Sequence, residues 1–179
     1  MKAFFIMCYF FLGDDNVFKV NDYVVYNRDV CIVKEIKEKM INNMDYYCLA
    51  PISDRSLKIE VPTTNKKIRE LISKERLEEI INSIPSIDLI SLDEKNIEHE
   101  YKTLMNTGRH EDLIRIIKTT YLRNKDRLDH NKKIGDKDNN YFELAERYLY
   151  NEFSIVLGMN YEGTKQYVID KVSEIDSIH

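Results

Sequence analysis

The hydrophobic period of this chain changes once, near Ser73, and that change limits the folds open to it. Before Ser73, apolar and polar residues alternate in short runs with a period of two. After it they recur every three to four residues, the spacing of one helix face. The pattern predicts an α+β chain: a small β module that opens the fold, then an all-helical module.

The β module is anchored by residues 17–26, VFKVNDYVVY, which read as a strand, a bend at Asn21-Asp22 and a strand. Residues 30–36 form the next strand. Residues 41–44 hold a turn, because asparagine tolerates left-handed backbone. Residues 46–51 form a third strand, and Asp54-Arg55-Ser56 turns the chain into a fourth at 57–62, where Leu57, Ile59 and Val61 alternate with Lys58 and Glu60. Four or five short antiparallel strands predict a Tudor- or SH3-like barrel over residues 17–66. Such a barrel leaves an edge strand free to pair with a partner's strand.

The helical module is expected over residues 73–177. Ser73 is an N-cap for a helix with Leu77, Ile80, Ile81 and Ile84 on one face, ended by Pro85. Asp93 caps a second, with Ile97, Tyr101, Leu104 and Met105, which Gly108 breaks. Leu113, Ile116, Ile117 and Tyr121 mark a third. Residues 122–140 are charged and lack an apolar period, so a long exposed loop is expected there. Phe142, Ala145, Tyr148, Leu149, Phe153 and Val156 mark a fourth helix, stopped by Gly158. Tyr167, Val168, Val172 and Ile175 mark a short fifth.

No composition signal points to catalysis. Five scattered glycines make no phosphate loop, and no Ser or Cys sits in a nucleophile motif. The carboxylates are expected on solvated helix faces and the four histidines on the surface, so neither an enzyme nor a cofactor is expected. Cys8, Cys31 and Cys48 are too few and too far apart for a disulfide framework or a zinc site; they are expected as reduced thiols packed as small hydrophobes. Residues 1–16 form an apolar extension that resembles a signal peptide's start. It lacks the small-residue cleavage pattern and the length of a membrane span, so an extension that pairs onto the β module, or a leader from an early start codon, is expected on a cytoplasmic chain with no membrane association. The formal charge of −4 excludes a surface that is basic throughout. A local basic run remains, with Arg115, Lys118, Arg123, Lys125, Arg127, Lys132 and Lys133 between Arg109 and Lys137. Such a run suits either phosphate contacts or an ordinary solvated surface.

Residues 18–26, Val30-Cys31-Ile32-Val33, Val61-Pro62 and Ile72-Ser73-Lys74-Glu75, taken with residues 112–118, Tyr121-Leu122-Arg123 and residues 145–150, resemble the CarD (CdnL) family of bacterial transcription regulators in its clostridial form. The resemblance implies a Tudor-like module that docks on the RNA polymerase β subunit, partly by strand pairing. It also implies a helical module that touches promoter DNA at the upstream edge of the transcription bubble and alters open-complex stability. The polymerase contacts are then expected at Lys34, Glu35 and Ile36 and at Ile59, Glu60 and Val61. The DNA contacts are expected at Lys95, Lys102, Arg109 and Lys137, with Ile90 or Leu92 as an aliphatic wedge. The chain departs from the family at Asp29, where glycine is usual; at Glu60, where a base is common; at Ile97, where arginine is frequent; and in having no tryptophan for the wedge. Two further readings stay open: a monomeric polymerase-bound adaptor that leaves DNA alone, and an unrelated SH3-like RNA- or ribosome-associated factor.

Overall fold

The computed structural model describes residues 18–41, 43–91 and 95–177. The apolar extension 1–16, Cys8, Leu92 and the Asp93 cap lie outside the described residues. Five antiparallel strands come first: β1 (Tyr23–Tyr26), β2 (Asp29–Ile41), β3 (Met44–Pro51), β4 (Ile59–Pro62) and β5 (Ile68–Arg69). Their order is β4-β3-β2-β1-β5. The expected barrel is instead an open sheet, because β4 and β5 stand at opposite edges and no pairing joins them among the described residues. The expected strand at 18–20 is also absent: Val20-Asn21 is a turn, with Asp22 N–H donating to the Lys19 carbonyl at 3.0 Å.

Asparagines make the tight turns. Asn21, Asn27 and Asn43 take positive φ of 74°, 58° and 59°, backbone that asparagine enters at lower cost than other side-chain-bearing residues. With Asn27 bending the β1–β2 hairpin, Asp29 begins β2 in ordinary extended pairing opposite Tyr26. One sheet face carries the first core: Val24, Cys31, Val33, Tyr47, Leu49 and Val61, all nearly inaccessible. Phe18 closes one end, edge-on to Tyr47 at 5.9 Å. Burial, and then the Asp29 charge, push the Cys31 thiol up to about 12, so it packs as a neutral small hydrophobe. Cys48 is buried and free as well.

Five helices follow: α1 (Lys74–Ser83), α2 (Ile97–Thr107), α3 (His110–Asp129), α4 (Asp136–Leu157) and α5 (Tyr161–Ser177). Ser73 Oγ accepts the Arg76 N–H at 3.2 Å, the expected cap. Pro85 lies in a single 3-10 turn that ends α1. Gly108 and Gly158 stop α2 and α4 in left-handed backbone, at φ of 68° and 65°. The second core gathers Leu77, Ile81, Tyr101, Ile116, Leu149 and Phe153, each worth about 1.5–3 kcal/mol of transfer free energy. Helices α3 and α4 run antiparallel, since His110 meets Glu152 at one end and Arg123 meets Asp138 at the other.

Three helical expectations change. The loop expected at 122–140 shrinks to 130–135, because α3 continues to Asp129 on a polar face in place of an apolar one. Arg123 Nε donates to Asp138 Oδ2 at 3.1 Å, Tyr101 donates to Asp138 Oδ1 at 3.0 Å, and Asn124 Oδ1 accepts the Gly135 N–H at 3.2 Å. Tyr121, expected in the core, is 56% exposed, and fully buried Thr120 takes its place. The fifth helix is also longer than expected, at 17 residues.

Candidate functional site

The sheet has open backbone on two opposite sides. β4 pairs only with β3, through Tyr46↔Pro62, Tyr47↔Val61, Cys48↔Glu60 and Leu49↔Ile59. Its outer edge is unpaired among the described residues. The side chains of this edge are locked: Val61 is buried against the core and Ile59 is half-buried. Glu60 is exposed and forms an ion pair with Lys37, which reaches it across β3.

The second opening is on β2. β1 pairs with β2 only as far as Ile32, and Val33 exchanges hydrogen bonds with Asn21 and Asp22 at 2.7 and 2.9 Å. Beyond Val33 that side of β2 has no strand beside it among the described residues. A register shift between Val33 and Glu35 makes Lys34 the extra residue of a bulge. Lys34 and Glu35 are exposed, while Ile36 packs toward the core opposite Tyr47. The two expected polymerase-contacting segments therefore lie on opposite sides of β3 and do not form one continuous rail.

On the helical module, Lys102 and Lys137 converge on Glu98, with Nζ at 2.9 Å from Oε1 and 2.7 Å from Oε2. The hydrogen bonds from Lys137 and Lys102 pull the Glu98 carboxyl down to about 2. Lys95 is exposed just ahead of the same helix. Arg109 lies beyond the other end of α2, with Nε at 3.2 Å from Asp112 Oδ2, so it is separate from the three lysines. Ile90 is 7% exposed, and its N–H donates to Thr119 Oγ1 at 3.0 Å, so the side chain expected as a wedge is part of the core. Leu92 is outside the described residues, and the neighbouring apolar side chain at the surface is Leu89, 42% exposed.

Much of the basic run also turns inward. Lys118 Nζ donates to the carbonyls of Ile84, Pro85 and Ile87 at 2.8, 3.3 and 2.6 Å, sealing the C-terminal end of the α1 turn. Arg123 and Arg127 face Asp138, and Arg115 reaches the Leu89 carbonyl at 3.5 Å. Lys125, Lys132 and Lys133 remain exposed.

The residues that sequence reasoning missed join the two modules. Arg69 of β5 grips Glu152 of α4 through two parallel hydrogen bonds of 2.6 and 2.8 Å. The Ile72 N–H donates to the same carboxylate at 3.1 Å, and His110 Nε2 lies 2.9 Å from it. Burial pushes the Glu152 carboxyl up, but the bonds from Arg69 and His110 outweigh it and hold the group at about 2. His110 and Glu152 were expected on the surface; both are buried here. From the β1–β2 turn, Arg28 donates to the Met105 carbonyl at 3.0 Å and to Asn106 Oδ1 at 2.9 Å, and its guanidinium lies 5.6 Å from the Tyr148 ring centroid. Two arginines of the sheet thus fix its position on α2, α3 and α4.

Among the described residues, no group of His, Cys, Asp and Glu could hold a metal ion, and no helix is long and apolar enough to cross a membrane. No family model matches this chain, and no curated protein matches it.

Proposed function

We propose that this chain is a CarD-type regulator of transcription initiation, docking on the RNA polymerase β subunit through its sheet and presenting its helical module toward promoter DNA. The observation that carries the docking half is the outer edge of β4, open among the described residues, with Ile59 and Val61 held by the core and Glu60 by Lys37. Such an edge offers N–H and C=O groups to an incoming strand without further ordering of its own. β4 is favoured over β2 because its four residues pair in unbroken register, whereas β2 bulges at Lys34. A Tudor-like ancestry for the module is consistent with its strand count and antiparallel pairing, although its sheet is open. The mechanism is non-enzymatic: a cytoplasmic, monomeric protein bound to both polymerase and melted DNA changes the rate at which the bubble opens or closes.

Capture of bacterial RNA polymerase β subunit by the full chain tests the reading. Glu60→Arg removes an acid that Lys37 neutralises and installs the base that the family resemblance favours. Capture should strengthen by several-fold, with little change in stability because the Lys37–Glu60 pair is exposed. Absence of capture by both proteins would overturn the proposal and favour the SH3-like RNA- or ribosome-associated reading.

The adaptor reading is favoured by a separate observation. Ile90 is buried, and Lys102 and Lys137 are engaged by Glu98, so the DNA half lacks a presented wedge and uncommitted cations at those positions. Salt-dependent binding to forked promoter DNA separates the two.

A further inference from the structure

We propose that the outer edge of β4 takes its partner in one register: an antiparallel strand of the polymerase β subunit, centred on the Glu60 backbone, with a polar residue facing Glu60 and an apolar residue on either side of it. The register rests on the docking reading and names the partner chemistry of that same edge. Antiparallel strands alternate between pairs that exchange both backbone hydrogen bonds and pairs that exchange none, whose groups point to the outer sides. The Thr63 N–H donates to the Asp45 carbonyl at 2.9 Å, and these two residues lie opposite each other when the β3–β4 register is continued by one. Thr63 is therefore a bonded position. Counting back by twos, Val61 and Ile59 bond inward to Tyr47 and Leu49, while Glu60 and Pro62 point outward.

Proline has no backbone N–H. Within β4 the outward groups are thus the Glu60 N–H, the Glu60 C=O and the Pro62 C=O, so Glu60 holds the single donor. An antiparallel partner residue opposite Glu60 exchanges both bonds with it. The partner residue opposite Pro62 can donate but finds no donor in return, so the pairing ends there.

Side chains select the residues of the partner. Val61 is buried and Ile59 half-buried on the core face of β4, and Leu57, two residues earlier, is 49% exposed. The partner residues that flank the central one project to that face and extend its apolar surface. The central one lies on the solvent face beside Glu60 and Lys37. A second copy of this chain suits the register poorly. Two-fold pairing at Glu60 would set the carboxylate opposite its own counterpart, and like charges directly opposite destabilise a sheet.

Amide hydrogen exchange on the full chain, free and bound to the β subunit, tests the register directly. In the free chain the Val61 amide should exchange slowly and the Glu60 amide fast. In the complex the Glu60 amide should slow by about tenfold or more, and the β-subunit segment that gains protection should run apolar–polar–apolar at its centre. Glu60→Pro removes an outward donor and an exposed ion pair but no bond to β3. Its urea midpoint should stay near that of the parent while capture weakens by about tenfold or more, the weight of one hydrogen bond. A Glu60 amide already slow in the free chain, or unchanged in the complex, would overturn the register and leave docking in place. Undiminished capture by folded Glu60→Pro would do the same, as would a charged residue flanking the centre of the protected segment. No capture by the unaltered chain would overturn docking and register together. A dimer in sedimentation that Glu60→Pro abolishes would assign the edge to a second copy and overturn the register as well.

Discussion

Glu152 keeps its charge inside the protein because donors from three segments converge on it: Arg69 from β5, the Ile72 N–H ahead of α1 and His110 at the start of α3. A carboxylate so placed carries an acid-sensitive share of stability. Its folded value of about 2 lies below the ordinary 4.5, so the unfolded chain binds the proton more readily between those values. Its contribution, about 3 kcal/mol, is therefore fully present above the ordinary value and is lost as pH falls toward 2. Urea midpoints followed from neutral pH down to about 2.5 should show this limb, and Glu152→Gln should be less stable at neutral pH with a flatter acid limb. An unchanged limb in the variant would remove Glu152 from that role. None of this was legible in the sequence, because His110 and Arg69 lie 42 and 83 residues from Glu152 and nothing local marks the three as partners. What is local was legible: the Ser73 cap, the glycine stops at 108 and 158, and the left-handed turn at Asn43 each depend on a residue's own backbone preference.

At the scale of elements, periodicity located the helix faces and failed where a helix is held by polar contacts. The last turns of α3 have no apolar stripe, and the side chains that fix them are Arg123, Asn124 and Arg127, turned toward Asp138 of the next helix and Gly135 just ahead of it. A run of charge without apolar period reads as solvated unless its partner is known, and Asp138, 3% exposed, is that partner. Asp138→Ala deletes the acceptor shared by Tyr101 and Arg123 and leaves cations facing the interior, at a cost of about 3 kcal/mol. Hydrogen exchange should then quicken at amides 122–129 while those at 110–120 keep their protection; uniform change along α3 would mean that the polar face does not hold the extension. The sheet shows the complementary limit. Alternation at 57–62 predicted a half-buried strand, and Ile59 and Val61 do face inward from β4, but period two carries no information on which strands meet. An open sheet and a closed barrel therefore look alike in sequence.

Across the whole molecule, two separate apolar cores are linked by a largely polar joint, and the surfaces proposed to meet polymerase and DNA belong to different cores. The fixed seating of Arg28 and Arg69 then determines where the lysines around Glu98 point when β4 is docked. Those lysines are the decisive feature for the DNA half. To reach phosphates, Lys102 and Lys137 must leave a carboxylate they already hold at 2.9 and 2.7 Å, so each gain in phosphate attraction is offset by the loss of an ion pair. With a net charge of −4, little attraction comes from the rest of the surface. Glu98→Gln should release both lysines, raise affinity for forked promoter DNA several-fold at low salt, and steepen the plot of log affinity against log salt by up to about 2. The pair is solvent-exposed and α2 has its own apolar face, so polymerase capture and stability should be unchanged. A variant that captures polymerase as before yet shows no gain in DNA binding would leave the lysines without a phosphate partner. The helical module would then serve as an adaptor surface on the polymerase lobe.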